Sequence, residues 1–183
     1  MATEELLGVD PSNLPDFFRI SPWSPEELQK ALLRFLFSFL KSKNISAEQA
    51  LFLTLDDSLT IKDNQTSKLQ SVDWIKDHNT NRYVKASVHV VLGIHWGGYH
   101  FPLSWRLYLR EKTFRRLNRR RKKNQRLRYT SKISLAKEML EQVQELLPNV
   151  TKVYVLFDSW YAAGKFIRWI VRQVLARHLR VPI

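Results

Sequence analysis

The chain contains no cysteine. Disulfides and cysteine-ligated zinc sites are therefore excluded, and the composition fits a reducing, cytoplasmic setting. Long hydrophobic runs are absent as well. The longest, residues 31–40, is interrupted by Arg34 and Ser38 and is too short to cross a bilayer, so no membrane partner is expected. Residues 1–10 are acidic and lack the basic-then-apolar order of a signal peptide. Acidic residues, in turn, are nearly missing from residues 110–132, where one glutamate faces twelve lysines and arginines. That stretch carries most of a net charge of +13. A block so dense repels itself unless a polyanion lies against it, which makes nucleic acid the first partner to consider. The plainer alternative is a solvated, disordered loop.

What is present argues for a packed domain. Six Trp, ten Phe and six Tyr in 183 residues supply a core of ordinary size. Residues 1–20 read as an irregular lead-in. Ser24-Pro25-Glu26-Glu27 then announces a helix, with Ser24 as cap, Pro25 at the first position and Glu27 completing a capping box. Leu28, Ala31, Leu32, Phe35, Leu36, Phe39 and Leu40 form its expected apolar face, widened by Leu33 and Phe37. Residues 50–55 are a continuous apolar run ending in Asp56-Asp57, which suits a strand buried on both faces. Residues 60–82 read as loop. Two strand-like runs, 83–96 and 99–109, flank Gly97-Gly98 and predict a hairpin. A helix follows around Ala136, Met139, Leu140, Val143 and Leu147, ended by Pro148. Val153 to Phe157 is a further buried strand ending in Asp158, and Phe166, Ile167, Ile170, Val171 and Val174 mark a last helix from about Ala162.

Two acidic sites thus stand at strand ends, Asp56-Asp57 and Asp158. An acid after an apolar strand often caps the next turn, so neither is distinctive alone. Together, on strands that the order strand, hairpin, helix, strand makes neighbours, they suit metal-dependent phosphodiester chemistry, in which carboxylates hold two Mg²⁺ ions.

Here a family likeness becomes specific. Phe52-Leu53-Thr54-Leu55-Asp56-Asp57-Ser58, with Lys62 soon after, resembles the first catalytic motif of DDE transposases from bacterial insertion sequences. Val153 to Tyr161, ending Asp-Ser-Trp-Tyr, is similar to their second motif. Asp77-His78-Asn79 through Arg82-Tyr83-Val84 resembles the segment between. The likeness spans roughly residues 50 to 172, and Asp-Ser-Trp-Tyr is its most distinctive part. It implies an α/β, ribonuclease H-like mixed sheet with flanking helices, here incomplete at the C-terminus. An N-terminal helical segment (1–48) would precede a partial catalytic domain (49–183) with a basic insertion at 110–132. Asp158 matches the second family aspartate, and Asp57, or its neighbour Asp56, the first. Asp57 and Asp158 would be metal ligands for Mg²⁺ or Mn²⁺ in a two-metal site. The implied partner is DNA, both transposon ends and target, and a homodimer is open to an intact member. The implied reaction is hydrolysis at the transposon end, then attack of the freed 3′-hydroxyl on target DNA.

The departure is as informative. The family requires a third acid, a glutamate on a later helix, yet residues 159–183 contain neither Asp nor Glu. The fifth strand would have barely begun at Leu179-Arg180-Val181. The expectation is a truncated or frameshifted copy, catalytically dead on its own and weak or lacking in metal binding. The rivals are a non-catalytic basic nucleic-acid binder derived from a transposase fragment, and a partly folded remnant without a role.

For DNA contact the sequence offers Lys62, Arg115, Arg116, Arg119, Arg120, Arg121, Lys122 and Lys123. If helical, the basic tract is charged on most faces and fits phosphate contacts that position DNA without reading it. Trp160 and Tyr161, beside Asp158, could stack on terminal or flipped bases or simply pack, whereas Trp169 reads as core. His78, His89, His95, His100 and His178 are read as structural or surface histidines.

Overall fold

The computed structural model describes residues 16, 19–22 and 24–172. Its first long element is α1 (Pro25–Lys41). Ser24 caps it by accepting from the Glu27 amide at 3.3 Å. The expected capping box is only half made, because the Glu27 carboxylate pairs with Lys30 at 2.8 Å instead. The buried stripe also differs from expectation. Leu33, Phe37 and Leu40 enter the core, while Leu28, Leu32 and Phe35 are exposed. A helix apolar at most positions does not declare which side it will bury; the sheet decides.

Strands β1 (Leu51–Ile61), β2 (Asp73–Asp77), β3 (Arg82–Trp96), β4 (Tyr99–Tyr108) and β5 (Val153–Phe157) form one sheet. β3 pairs antiparallel with β1 on one edge and with β4 on the other, and β1 pairs parallel with β5. Ala86 has both Ile61 and Asp73 as partners, so β2 lies on the same edge of β3 as β4, end to end with it. β2 corrects the reading of 60–82 as loop throughout. The central parallel contact of β1 and β5, reached through a helix, with an antiparallel meander on the other side of β1, is a ribonuclease H-like arrangement.

One face of the sheet is covered. Leu51, Leu53, Leu55, Val90, Leu92 and Ile94 pack there with α1, with α3 (Lys132–Gln144) and with α4 (Gly164–Ile170). The other face is open and shows Trp105, Leu107, Tyr154 and Leu156 to solvent. β1 and β5 are therefore buried on one face each, not on both as their continuous apolar runs suggested. α3 begins earlier than expected, capped by Ser131, and ends before Pro148. In α4, Phe166 and Ile170 are buried, whereas Ile167 and the residue after the helix, Val171, are exposed; Val174 and the strand expected at 179–181 lie outside the described residues.

The β3–β4 turn uses Gly97 and Gly98, both at positive φ (58° and 83°). A side chain at Gly97 would also meet Ile45 at 2.7 Å, whereas one at Gly98 would meet nothing within 4 Å. Gly97→Ala and Gly98→Ala should therefore each cost about 1–3 kcal/mol through the backbone, with a further steric cost against Ile45 at Gly97 alone, as read from urea unfolding midpoints.

The basic tract is not one helix. α2 (Glu111–Asn118) ends after two turns, and a short 3-10 turn follows at Lys123–Gln125. Asn118 closes the loop between them, donating to the Leu127 carbonyl at 3.1 Å and accepting from its amide at 2.9 Å. Phe114 meets the Tyr129 ring at 5.6 Å behind it. At the other end, Thr113 donates to Asp73 at 2.8 Å and Lys112 pairs with the same carboxylate at 3.2 Å, fastening α2 to β2. Burial pushes the Asp73 carboxyl up, but these contacts together outweigh it and hold it below its usual range.

Candidate active site

The register of the parallel pair places the acids. Leu55 lies beside Phe157, so Asp56 and Asp158 leave the β1–β5 contact side by side. β1 does not end there, as the sequence suggested. It runs six residues further against β3, with Asp56 opposite Val91 and Asp57 opposite Val90. The aspartates thus sit within a strand, at the point where it loses one partner and keeps the other. One edge holds their backbone rigid while the other opens.

Alternation separates the two neighbours. Asp57 shares its face with Leu53 and Leu55, the covered one, and Asp56 points to the open face. The Asp56 carboxylate accepts from the Asp57 amide at 2.7 Å. Asp57 reaches under the start of α3 and is only 23% exposed. One of its oxygens accepts from the Tyr161 hydroxyl at 2.7 Å, and the other forms an ion pair with Lys132, the first residue of α3. Asp158 caps the short turn Ser159–Tyr161 by accepting from the Trp160 amide at 2.9 Å. That is the capping role an acid after an apolar strand often takes, performed where β1 and β5 part.

Tyr161 ties the site together. It is fully buried, and burial raises its hydroxyl pKa first, followed by the bond to Asp57 and then the charges of Asp57, Asp158 and Asp56. All three aspartates therefore act on one phenol, which stays protonated and donates. Of the two readings open for Tyr161, stacking on bases or packing, its burial favours packing. Trp160, by contrast, is 55% exposed. It is not free-standing either, since the Lys132 ammonium lies 4.7 Å from its ring centre and 5.3 Å from that of Tyr108. Burial, chiefly, and a 3.2 Å contact with Tyr129 push the Tyr108 hydroxyl up to about 12.

Lys132 and Tyr108 were not legible as site residues. A cation at the first position of a helix opposes the macrodipole, and Lys132 directly follows the cap Ser131. That misplaced charge is the one signal the sequence offered.

The remaining expected contacts are scattered. Lys62 lies beyond the far end of β1, five residues from Asp57 and on the opposite face, beside His89, whose pKa burial and the Lys62 charge lower. Arg115 is held by Glu111 at 2.5 Å, while Arg116, Arg119, Arg120, Lys122 and Lys123 are exposed. Arg116, Arg120 and Arg121, with Lys85 and Trp74, line a groove of about 740 Å³. A second cavity of about 510 Å³ runs from Lys132 and Trp160 past Arg110 and Lys112 to Tyr83. His95 and His100 pair across the hairpin with their Nδ1 atoms 2.8 Å apart, a contact that the Gly97-Gly98 turn register would have foretold. His178 lies outside the described residues.

Aspartate oxygens are the hard donors that Mg²⁺ and Mn²⁺ take, so Asp57 and Asp158 fit such an ion in kind. In number they fall short. Among the described residues, no three Asp, Glu, His or Cys side chains gather where an ion could sit.

Fold and site together define a ribonuclease H-like α/β domain with aspartates gathered where its central parallel strands part. The sequence model of the family described as DDE superfamily endonuclease matches residues 3–181, and the chain belongs to that family. No curated protein and no solved structure matches it. Membership carries an endonuclease-type function on DNA, and endonucleases of this superfamily generally use divalent metal ions. No helix among the described residues is long and apolar enough to cross a membrane.

Proposed function

We propose that the chain is the DNA-handling domain of an insertion-sequence transposase that binds DNA but does not cut it unaided. In this reading residues 1–48 are a helical lead-in, 49–183 the ribonuclease H-like part, and 110–132 a basic insertion that grips phosphate. Asp57 and Asp158 are the first two catalytic carboxylates, with Asp56 an outward-facing neighbour. The observation that supports the reading is the register that brings Asp56-Asp57 and Asp158 to the place where β1 and β5 part, with the charges of Asp57 and Asp158 both felt at the Tyr161 hydroxyl. A divalent ion held by Asp57 and Asp158 would supply charge stabilisation at the scissile phosphate. The chain's own residues prepare the place. Tyr161 fixes the Asp57 carboxylate, the Trp160 amide fixes Asp158, and the exposed Arg119, Arg120, Lys122 and Lys123 offer cations to the backbone of DNA, with Arg116 and Arg121 beside them. Residues 159–183 hold no acid to serve as a third ligand, so within residues 1–183 Asp57 and Asp158 stand without a third carboxylate C-terminal to them.

The test uses the purified chain with supercoiled and linear DNA in Mg²⁺ or Mn²⁺. Binding that weakens with salt, and no nicking, is expected. Nicking that disappears in both Asp57→Asn and Asp158→Asn would overturn the inactivity. Failure to bind DNA at low salt would remove the DNA-handling reading itself.

A further inference from the structure

The Lys132–Asp57 contact joins residues 75 apart in sequence. Its partners are held with unusual completeness for a lysine. The side chain is 16% exposed and its ammonium lies within 6 Å of two ring centres, Trp160 and Tyr108. Cation–π attraction and a carboxylate thus converge on one charge. The lysine also occupies the first turn of α3, which contains no acid. A cation there is disfavoured by the helix dipole, so its position is maintained by Asp57 rather than by the helix. With Tyr161 on the other oxygen, both oxygens of Asp57 are engaged by the chain itself.

We propose that Lys132 is a built-in counter-cation that competes with a divalent metal ion for Asp57. The inference rests on the reading above, in which Asp57 is a metal-holding carboxylate. A cation and a carboxylate this sheltered are screened little by salt, so an incoming ion must displace the ammonium before it gains the oxygen. The way out is present. Lys132 also lines the cavity of about 510 Å³ beside Trp160, which gives its flexible stem room to swing off Asp57. A metal ion therefore meets a closed site in the resting chain, and the occupancy of Asp57 is set by where Lys132 lies.

Mn²⁺ binding to the full chain, followed by loss of the free-ion electron paramagnetic resonance signal, tests this without any cleavage assay. Wild type is expected to bind weakly. Lys132→Gln and Lys132→Met should each bind at least tenfold more tightly, the second keeping the stem packed between the rings. Lys132→Arg, which keeps the charge, should bind no more tightly than wild type. Thermal unfolding gives an independent readout: Mn²⁺ should raise the melting temperature of Lys132→Met more than that of wild type. Equal Mn²⁺ affinity in wild type, Lys132→Gln and Lys132→Met would overturn the proposal. Adding Asp57→Asn to Lys132→Met separates the two levels. If it abolishes the gained binding, Asp57 is the ligand; if the gain persists, the metal-site reading of Asp57 fails and the proposal falls with it.

Discussion

Tyr161→Ala is expected to cost about 3–5 kcal/mol, a large share of the roughly 5–15 kcal/mol that holds a domain together. The ring is fully buried and sits between Phe166, 6.3 Å away, and Trp160, 5.3 Å away. Truncation leaves a cavity where α4 meets the end of β5, and it also strips a donor from a carboxylate that is mostly buried. At about 2–4 °C per kcal/mol for a chain of this size, the melting temperature should fall by roughly 6–20 °C. Tyr161→Phe separates the two contributions. It keeps the ring and removes only the hydroxyl, so the loss should shrink to about 1.5–3 kcal/mol, typical of a hydrogen bond to a charged group. A phenylalanine variant as unstable as the alanine one would mean that the bond to Asp57, not the packing, carries the residue's contribution.

The same residue shows how far the sequence could be read. The acids were legible because each follows an apolar run, and the order of strands and helix brought those runs together. What their side chains do was not. Asp57 binds Tyr161 across 104 positions and Lys132 across 75. No local pattern encodes such pairings; they exist only once β1, β5 and α3 are in register. Trp160 and Tyr161, both beside Asp158, could each stack or pack as far as the sequence went, and neighbours in a tight turn point in different directions: Trp160 is exposed and Tyr161 is buried. The extension of β1 was more accessible. Ser58-Leu59-Thr60-Ile61 alternates polar and apolar with a high β propensity, and a reading that stops at Asp57 discards it.

Other departures have equally specific causes. β2 is five residues long with charged ends, Asp73-Trp74-Ile75-Lys76-Asp77, and its pairing with β3 depends on a turn in which Asn81 takes positive φ. So short a segment amid polar residues has no period to detect. In α1 the stripe that is buried, Leu33, Phe37 and Leu40, competes with an equally apolar one, and the contacts of the sheet choose between them. The basic tract breaks at Asn118 because its side chain satisfies the Leu127 backbone in both directions, substituting for a strand partner that the sequence does not announce.

That clasp gives the basic loop a defined shape, and the second large effect follows from it. Arg119, Arg120, Lys122 and Lys123 are exposed on a loop tied at both ends rather than spread along a free chain. Replacing all four by glutamine removes four cations without touching Asn118, Thr113 or Asp73, so the fold should survive. If each of the four neutralises one phosphate, the slope of log affinity against log salt should become shallower by about 3–4, at roughly 0.9 per contact. With equal affinities at about 1 M salt, that amounts at about 0.1 M to a loss of about a thousand- to ten-thousandfold. Phosphate contacts carry no sequence information, so the loss should be the same for duplexes of unrelated sequence. Fluorescence anisotropy across a salt series, with two unrelated duplexes, measures both quantities. An unchanged slope would place the DNA elsewhere, with the 510 Å³ cavity beside Lys132, Arg110 and Lys112 next in line. A loss confined to one duplex would mean that the loop reads bases rather than gripping the backbone.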